Sequence, residues 1–426
     1  MIADPKHSEA RERGKRAENP GPLGGVRIID MTTVVMGPFA TQILADYGAD
    51  VIKVEPPAGD VMRLAAPMRN HGMGAAFLQA NRNKRSVVLD VKKPRGRAAL
   101  LRLCGTADIF VHNIRRAAMT RAGLGEADVR AGNDRLIYVS LIGFGEGGRY
   151  AGRPAYDDLI QGMSGIPALH ARVTGGEPRY VPLTVVDRIM GVSAAHTILA
   201  ALVHRDRAGR GQAVDVPMFE TMAQLVLGDH MGGRTFEPAL GAAGYPRLLA
   251  ADRRPYRTSD GYICVLIYNN KEWETFFRAI GRSEQFAADP RLSDHAVRTA
   301  HYSEVYAILA EILQTRSTAE WAKLFDENDI PTAPLLDLDE LIDDPHLAAV
   351  GFFQKMDHPT EGPIRLTGIP SQWSATPPAI TRHPPSLGEH SIEVLREAGF
   401  DDRDINELCA DGSTVDGRAA ASEERS

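Results

Sequence analysis

The 426-residue chain carries 55 acidic against 49 basic residues, a formal net charge of −6, with 43% apolar and 24% charged residues. That length exceeds the usual limit of one core, so two domains are the default. The near-balance of charge argues against a general nucleic-acid binder, which would usually carry a basic domain or stripe.

Three scattered cysteines, Cys104, Cys264 and Cys409, form no CxxC pair. They make neither a disulfide framework nor a zinc site, and they suit a reducing compartment, so the expected location is cytoplasmic. No apolar run approaches the roughly 20 residues that span a bilayer, so no membrane partner is expected.

Residues 1–20 are charged, lack a hydrophobic signal core and read as a disordered leader. A large domain is expected to begin at residue 21. Residues 26–30 (VRIID) read as a strand, 37–47 (GPFATQILADY) as a helix ending near Gly48, and 51–54 (VIKV) as the next strand. Runs at 86–89, 109–112 and 136–141 continue the series. Strand, helix and strand at this spacing mean βαβ units and a parallel sheet.

Residues 187–205 have apolar positions at helical spacing and read as a long buried helix, followed by a strand at 213–216. The first part of the large domain is expected to close at residue 220. Residues 221–255, rich in Gly, Pro and Arg beyond 230, read as a linker. A small domain over 256–330 opens with a hairpin at 256–267, turning at Ser259-Asp260-Gly261, and continues with helices near 271–280 and 303–313. Residues 331–408 read as a second linker and a return to the large domain, with a helix near 391–397, and 409–426 as a disordered tail.

Several familiar motifs fail. Gly143, Gly145 and Gly148 fit GxGxxG after a strand, but loop sequence follows where a helix should open, so a glycine loop near a ligand is the better reading. GxxxxGK[ST], HExxH and GxSxG are absent, and the acidic run 337–344 lacks the spacing of an EF-hand. No metal site is expected.

Six segments in order carry a resemblance: residues 30–55 (DMTTVVMGPFATQILADYGADVIKVE), 83–92 (NKRSVVLDVK), 156–165 (YDDLIQGMSG), 187–191 (DRIMG), 209–220 (GRGQAVDVPMFE) and 387–390 (LGEH). Together they resemble the class III CoA-transferase family, also known as the L-carnitine dehydratase and bile-acid-inducible protein F family, from about Gly21 to Leu408. The resemblance implies an α/β fold: a Rossmann-like large domain built from both chain ends, plus a smaller inserted α+β domain. It also implies an interlinked homodimer. The implied partners are an acyl-CoA and a carboxylic acid, with coenzyme A as substrate and no permanently bound cofactor.

Such chemistry conserves the thioester and needs no ATP, in keeping with the missing P-loop. A carboxylate attacks the acyl-CoA carbonyl, giving a mixed anhydride and a thiolate, which then forms an aspartyl-CoA thioester that the acceptor acid reverses. Asp187 matches the family's nucleophile, although the residues alone favour an N-cap aspartate. Tyr156 and Asp157 stand where the racemase branch has a His-Asp pair; tyrosine is a poor acid/base at neutral pH, and formyl-CoA transferase is similar here.

By matching, the CoA contacts fall on Val34, Val35, Leu89, Lys92, Asn113, Arg121 and Ala122, with Lys92 and Arg121 suited to phosphate. Pro56 replaces a basic residue of the family that touches CoA, and that interaction is either missing here or supplied by Arg63. Val35 replaces the glutamine of the formyl/oxalyl branch, and residues 253–256 (RRPY) lack that branch's glycine loop, so formate and oxalate are not the expected substrates. The rival readings are a 2-methylacyl-CoA racemase, which Tyr156 disfavours, and a non-catalytic CoA-binding protein, which has no use for Asp187.

Overall fold

The computed structural model describes residues 21–418; the expected leader lies outside them. Six strands, β1 (Arg27–Met31), β2 (Asp50–Glu55), β3 (Lys84–Val88), β4 (Ile109–His112), β5 (Ile137–Ile142) and β6 (Ala213–Pro217), form one sheet in the order β3-β2-β1-β4-β5-β6. Every neighbouring pair is parallel; Ile28, for example, faces Val51 on one side and Ile109 on the other. β3, β4 and β5 are buried along their whole length; β4 and β5 are largely apolar, as strands of a helix-covered parallel sheet usually are, whereas β3 opens with Lys84, Arg85 and Ser86, whose polar groups are paired. This is the Rossmann-like order, in which the chain reverses direction across β1 and β4. Connections diverge there and leave a crevice beyond the carboxyl ends of the strands.

The chain divides into two compact units. Among the described residues, the first takes those up to Ile160, Leu183–Thr221 and those from Ala349. Its core packs Ile29, Ile52, Phe110, Leu100 and Leu103 with Val394 and Leu395 from the helix Ser391–Glu397, so both chain ends close one core. The second unit takes Gln161–Pro182 and Met222–Ala348. It carries a small antiparallel sheet, β7 (Tyr256–Arg257), β8 (Tyr262–Val265) and β9 (Thr332–Pro334), beside an aromatic core of Trp273, Phe276, Phe277, Trp321 and Phe325.

Several elements differ from expectation. The residues expected to start a linker belong to a helix, Met218–His230, and residues 161–182 leave the first unit for the second. The region after Pro331 supplies β9 and then, in the first unit, the hairpin β10 (Phe353–His358) and β11 (Gly362–Thr367). β11 alternates, with Leu366 buried between exposed Arg365 and Thr367, but over too few residues to stand out; β10, with Gln354, Lys355 and Asp357 exposed, does not alternate.

The expected disordered tail is structured as far as it is described. Ser413 and Thr414 are buried, the Asp90 N–H donates to the Ser413 carbonyl at 2.8 Å, and Thr414 Oγ1 donates to the Val88 carbonyl at 2.7 Å. Residues 419–426 lie outside the described residues.

The helix Val185–Ala208 also departs from the expectation about apolar runs, being long and apolar enough to cross a membrane by length and composition. Half of that apolar window is buried inside the protein, and Gly191 lies so close to the helix Met36–Asp46 that a Cβ there would meet the Phe39 ring at 2.7 Å. Buried Arg205 near its end pairs with Asp108 at 2.8 Å. These are features of a core helix.

The sheet also encloses charge. Asp30, Lys53, Asp60 and Lys84 have no side-chain exposure; Lys53 pairs with Asp60 at 2.9 Å and Lys84 with Asp30 at 3.1 Å. Burial opposes ionisation of Asp30, yet Lys84, Lys53 and the hydroxyls of Thr32 and Thr41 hold it below the ordinary carboxylate range. Removing one partner from such a group strands the others. Asp30→Ala should therefore cost about 3–5 kcal/mol in urea unfolding; a loss below about 1 kcal/mol would show the cluster to be dispensable.

Candidate active site

The crevice at the carboxyl ends of β1, β4, β5 and β6 is a cavity of about 320 Å³. Its floor is set by the turn after β1. Thr33 is clamped by Asn113, whose Oδ1 accepts the Thr33 N–H at 3.0 Å while its Nδ2 donates to the Thr33 carbonyl at 2.8 Å. Val34 follows with φ +71°, a left-handed conformation that is strained for a β-branched residue. Its N–H donates to Asp60 Oδ1 at 3.2 Å, and Lys53 Nζ holds both Asp60 and the Thr32 carbonyl at 2.9 Å. The buried ion pairs thus fix the backbone of the turn, and strain of this kind persists only where surroundings over-determine it.

Asp187 reaches the same cavity from the first turn of the helix Val185–Ala208. It is the third helical residue, and Thr184 occupies the N-cap without a side-chain cap bond, so the N-cap reading of Asp187 does not hold. The Asp187 N–H donates to Asp157 Oδ2 at 2.9 Å. Asp187 is 8% exposed as a whole residue, and its carboxylate accepts no hydrogen bond among the described residues. Burial first, and the nearby charge of Asp157 second, push the Asp187 carboxyl up to about 6, against the opposing pull of Arg188. The Arg188 guanidinium lies over the Phe39 ring at 4.7 Å.

Tyr156 lines the cavity and is 65% exposed, so it is no core residue; its carbonyl accepts the Ile160 N–H at the start of the helix Asp157–Met163. The glycine loop after β5 borders the cavity without opening a helix: a Cβ on Gly143 would meet that of Ala155 at 2.3 Å, and the Gly145 N–H donates to Glu220 at 2.9 Å.

Of the residues matched to CoA contacts, Val34 and Asn113 line the cavity. Val35 is buried at the N-cap of the helix Met36–Asp46 and Leu89 is buried in the core, so neither presents its side chain to the cavity. Ala122 packs against that core, while Lys92 and Arg121 are exposed and outside the cavity lining. Arg63 is buried in a double hydrogen bond to Glu55, 2.7 Å on each side, and so cannot supply the positive charge that Pro56 lacks.

Arg115, Arg116 and Arg153 also line the cavity, though none of them was foreseen from the sequence. A signal was present, since Arg115 and Arg116 follow β4 next to Asn113, but the strand order that makes this the crevice edge is not written in the spacing.

A crevice at the reversal of a parallel sheet is where open α/β folds bind their ligands, and a raised carboxyl lies beside it here. Residues 23–391 match the model of CoA-transferase family III. The chain is 33% identical over 394 residues to the succinate–glutarate CoA-transferase of Agrobacterium fabrum, covering 88% of this chain and 95% of that one. It is 30% identical to the human succinyl-CoA:glutarate CoA-transferase, covering 92% and 89% respectively. The crystal structure of a CAIB/BAIF family protein from Brucella suis superposes with a TM-score of 0.74 at 28% identity, over 89% of this chain and 99% of that one. The chain belongs to CoA-transferase family III. Its substrates are CoA thioesters.

The Asp157 charge is one of the two causes that raise the Asp187 carboxyl. Transfer that requires ionised Asp187 should rise with pH through about 6. Asp157→Asn keeps an oxygen for the Asp187 N–H but removes the like charge, which favours the ionised form and should move the acid limb of the kcat profile to lower pH. An unmoved or upward-moved limb would show that Asp157 does not set it.

Proposed function

We propose that Asp187 is the covalent nucleophile of this CoA-transferase, and that succinyl-CoA and other dicarboxylic acyl groups are its first substrates to test. An Asp187 carboxylate oxygen attacks the thioester carbonyl; the C–S bond breaks, leaving an acyl–aspartyl anhydride and CoA thiolate. The thiolate attacks the aspartyl carbonyl of the anhydride, releasing the first acid as its carboxylate and forming an aspartyl-CoA thioester. The acceptor carboxylate attacks that thioester, and the returning thiolate then takes the new acyl group and restores Asp187. No net proton or redox change is needed.

The observation that carries this reading is the state of Asp187: buried, without a hydrogen bond on its carboxylate among the described residues, and raised to about 6. Such a carboxylate is still mostly ionised at neutral pH, yet it is poorly solvated and therefore a better nucleophile than an ordinary one. The N-terminal turn that carries it adds amide donors and dipole for developing negative charge. The dicarboxylic class comes from the glutarate enzymes to which the chain is similar. Tyr156 stands where the racemase branch has histidine, and a tyrosine side chain is a poor acid/base for racemisation near neutral pH.

Asp187→Ala should reduce succinyl-CoA:glutarate exchange by more than about a hundredfold while CoA binding, followed by calorimetry, persists. Activity above about a hundredth of wild type would remove the nucleophile assignment.

A further inference from the structure

We infer that Arg153 reads the remote carboxylate of a dicarboxylic substrate, an assignment that rests on the transferase reading of the cavity. Three arginines line that cavity, and they are not equivalent. Arg116 is neutralised by Glu146 and Asp215. Arg153 is exposed, and its guanidinium meets no acceptor among the described residues; its side chain lies instead over the Tyr150 ring, 5.2 Å below it. That ring is itself seated on Phe144 at 5.5 Å and edge-on to Phe219 at 6.2 Å.

The arrangement is that of a presented cation. The Tyr150 ring, which Arg149 shares at 5.1 Å, holds the Arg153 guanidinium by a cation–π contact that uses none of its N–H groups, and a carboxylate can meet such a group with two parallel hydrogen bonds. Arg153 also shares its cavity with Asp187. A dicarboxylic acyl group therefore has one end for the reacting carboxylate and the other for a fixed cation. A monocarboxylic acyl group of the same length places a methyl there and leaves the guanidinium unpaired. Arg115, which also meets no acceptor among the described residues, is the N-cap of the helix Arg116–Arg121 and lies within the stretch from Asn113 to Ala122 that the resemblance places against CoA.

The test compares matched pairs on the full-length enzyme: glutarate against pentanoate as acceptors, and succinyl-CoA against butyryl-CoA as donors. In Arg153→Gln the ratio of kcat/KM for the dicarboxylic over the monocarboxylic member should fall about 10- to 100-fold in both pairs, the worth of a charge-assisted pair. Arg153→Lys should recover part of it, since lysine keeps the charge but not the fork. An unchanged ratio overturns the assignment, and so does an equal loss for both members, which would place Arg153 on CoA or in loop packing. Should wild type transfer CoA to neither acid, the transferase substrate reading fails separately. Calorimetric binding of glutarate against pentanoate to the CoA-loaded protein then decides Arg153: a preference lost in Arg153→Gln supports it, and no preference overturns it.

Discussion

Asp30, Lys53, Asp60 and Lys84 meet under the turn after β1 with none of their side chains exposed to solvent. Taking four charges out of water is costly, and only mutual pairing with full hydrogen bonding makes it tolerable. Lys84 shows the tension: burial pulls its ammonium down to about 8 even with Asp30 against it. Hydrophobic packing alone would hold the sheet, but it would not fix individual backbone amides. The ion pairs do. Through Thr32 and Val34 they set the path of the chain between β1 and the helix Met36–Asp46, and so the floor of the cavity.

The second constraint is the pairing of Asp187 with Asp157. Asp157 accepts the Asp187 backbone N–H, which satisfies one orphan amide of the helix start. The same contact brings two carboxylates together and raises the one that faces the cavity. One side chain therefore both anchors the Asp187 backbone and raises the basicity of its carboxylate. The energetic sense is ordinary for an active site, where groups are held in states they would not choose alone.

Much of this was legible in the sequence, and what was not has physical reasons. Strands β1, β2, β4 and β5 were readable because they are short runs dominated by Ile, Val and Leu between turn signals; β3 and β6 carry more polar residues and were legible mainly from their Val residues. The helix Ser391–Glu397 fell where expected. Asp187 came from resemblance, since spacing alone favoured an N-cap. The helix Met218–His230, the strand β9 and the hairpin of β10 and β11 were missed because they expose polar or mixed faces and depend on tertiary pairing. Residues 411–418 look polar and aperiodic, yet two hydroxyl residues there bury against the β3 edge by hydrogen bonding, which composition does not register. Arg153 was invisible for a different reason: its meaning lies in what fails to pair with it.

The account stands or falls on a covalent bond at Asp187. Incubating the enzyme with acyl-CoA and trapping the intermediate with hydroxylamine or borohydride, followed by peptide mass spectrometry, tests it directly. The modification should fall on the peptide spanning Asp187 and inactivate the enzyme in proportion. Modification confined to Cys104, Cys264 or Cys409, or inactivation without any change at Asp187, would contradict it.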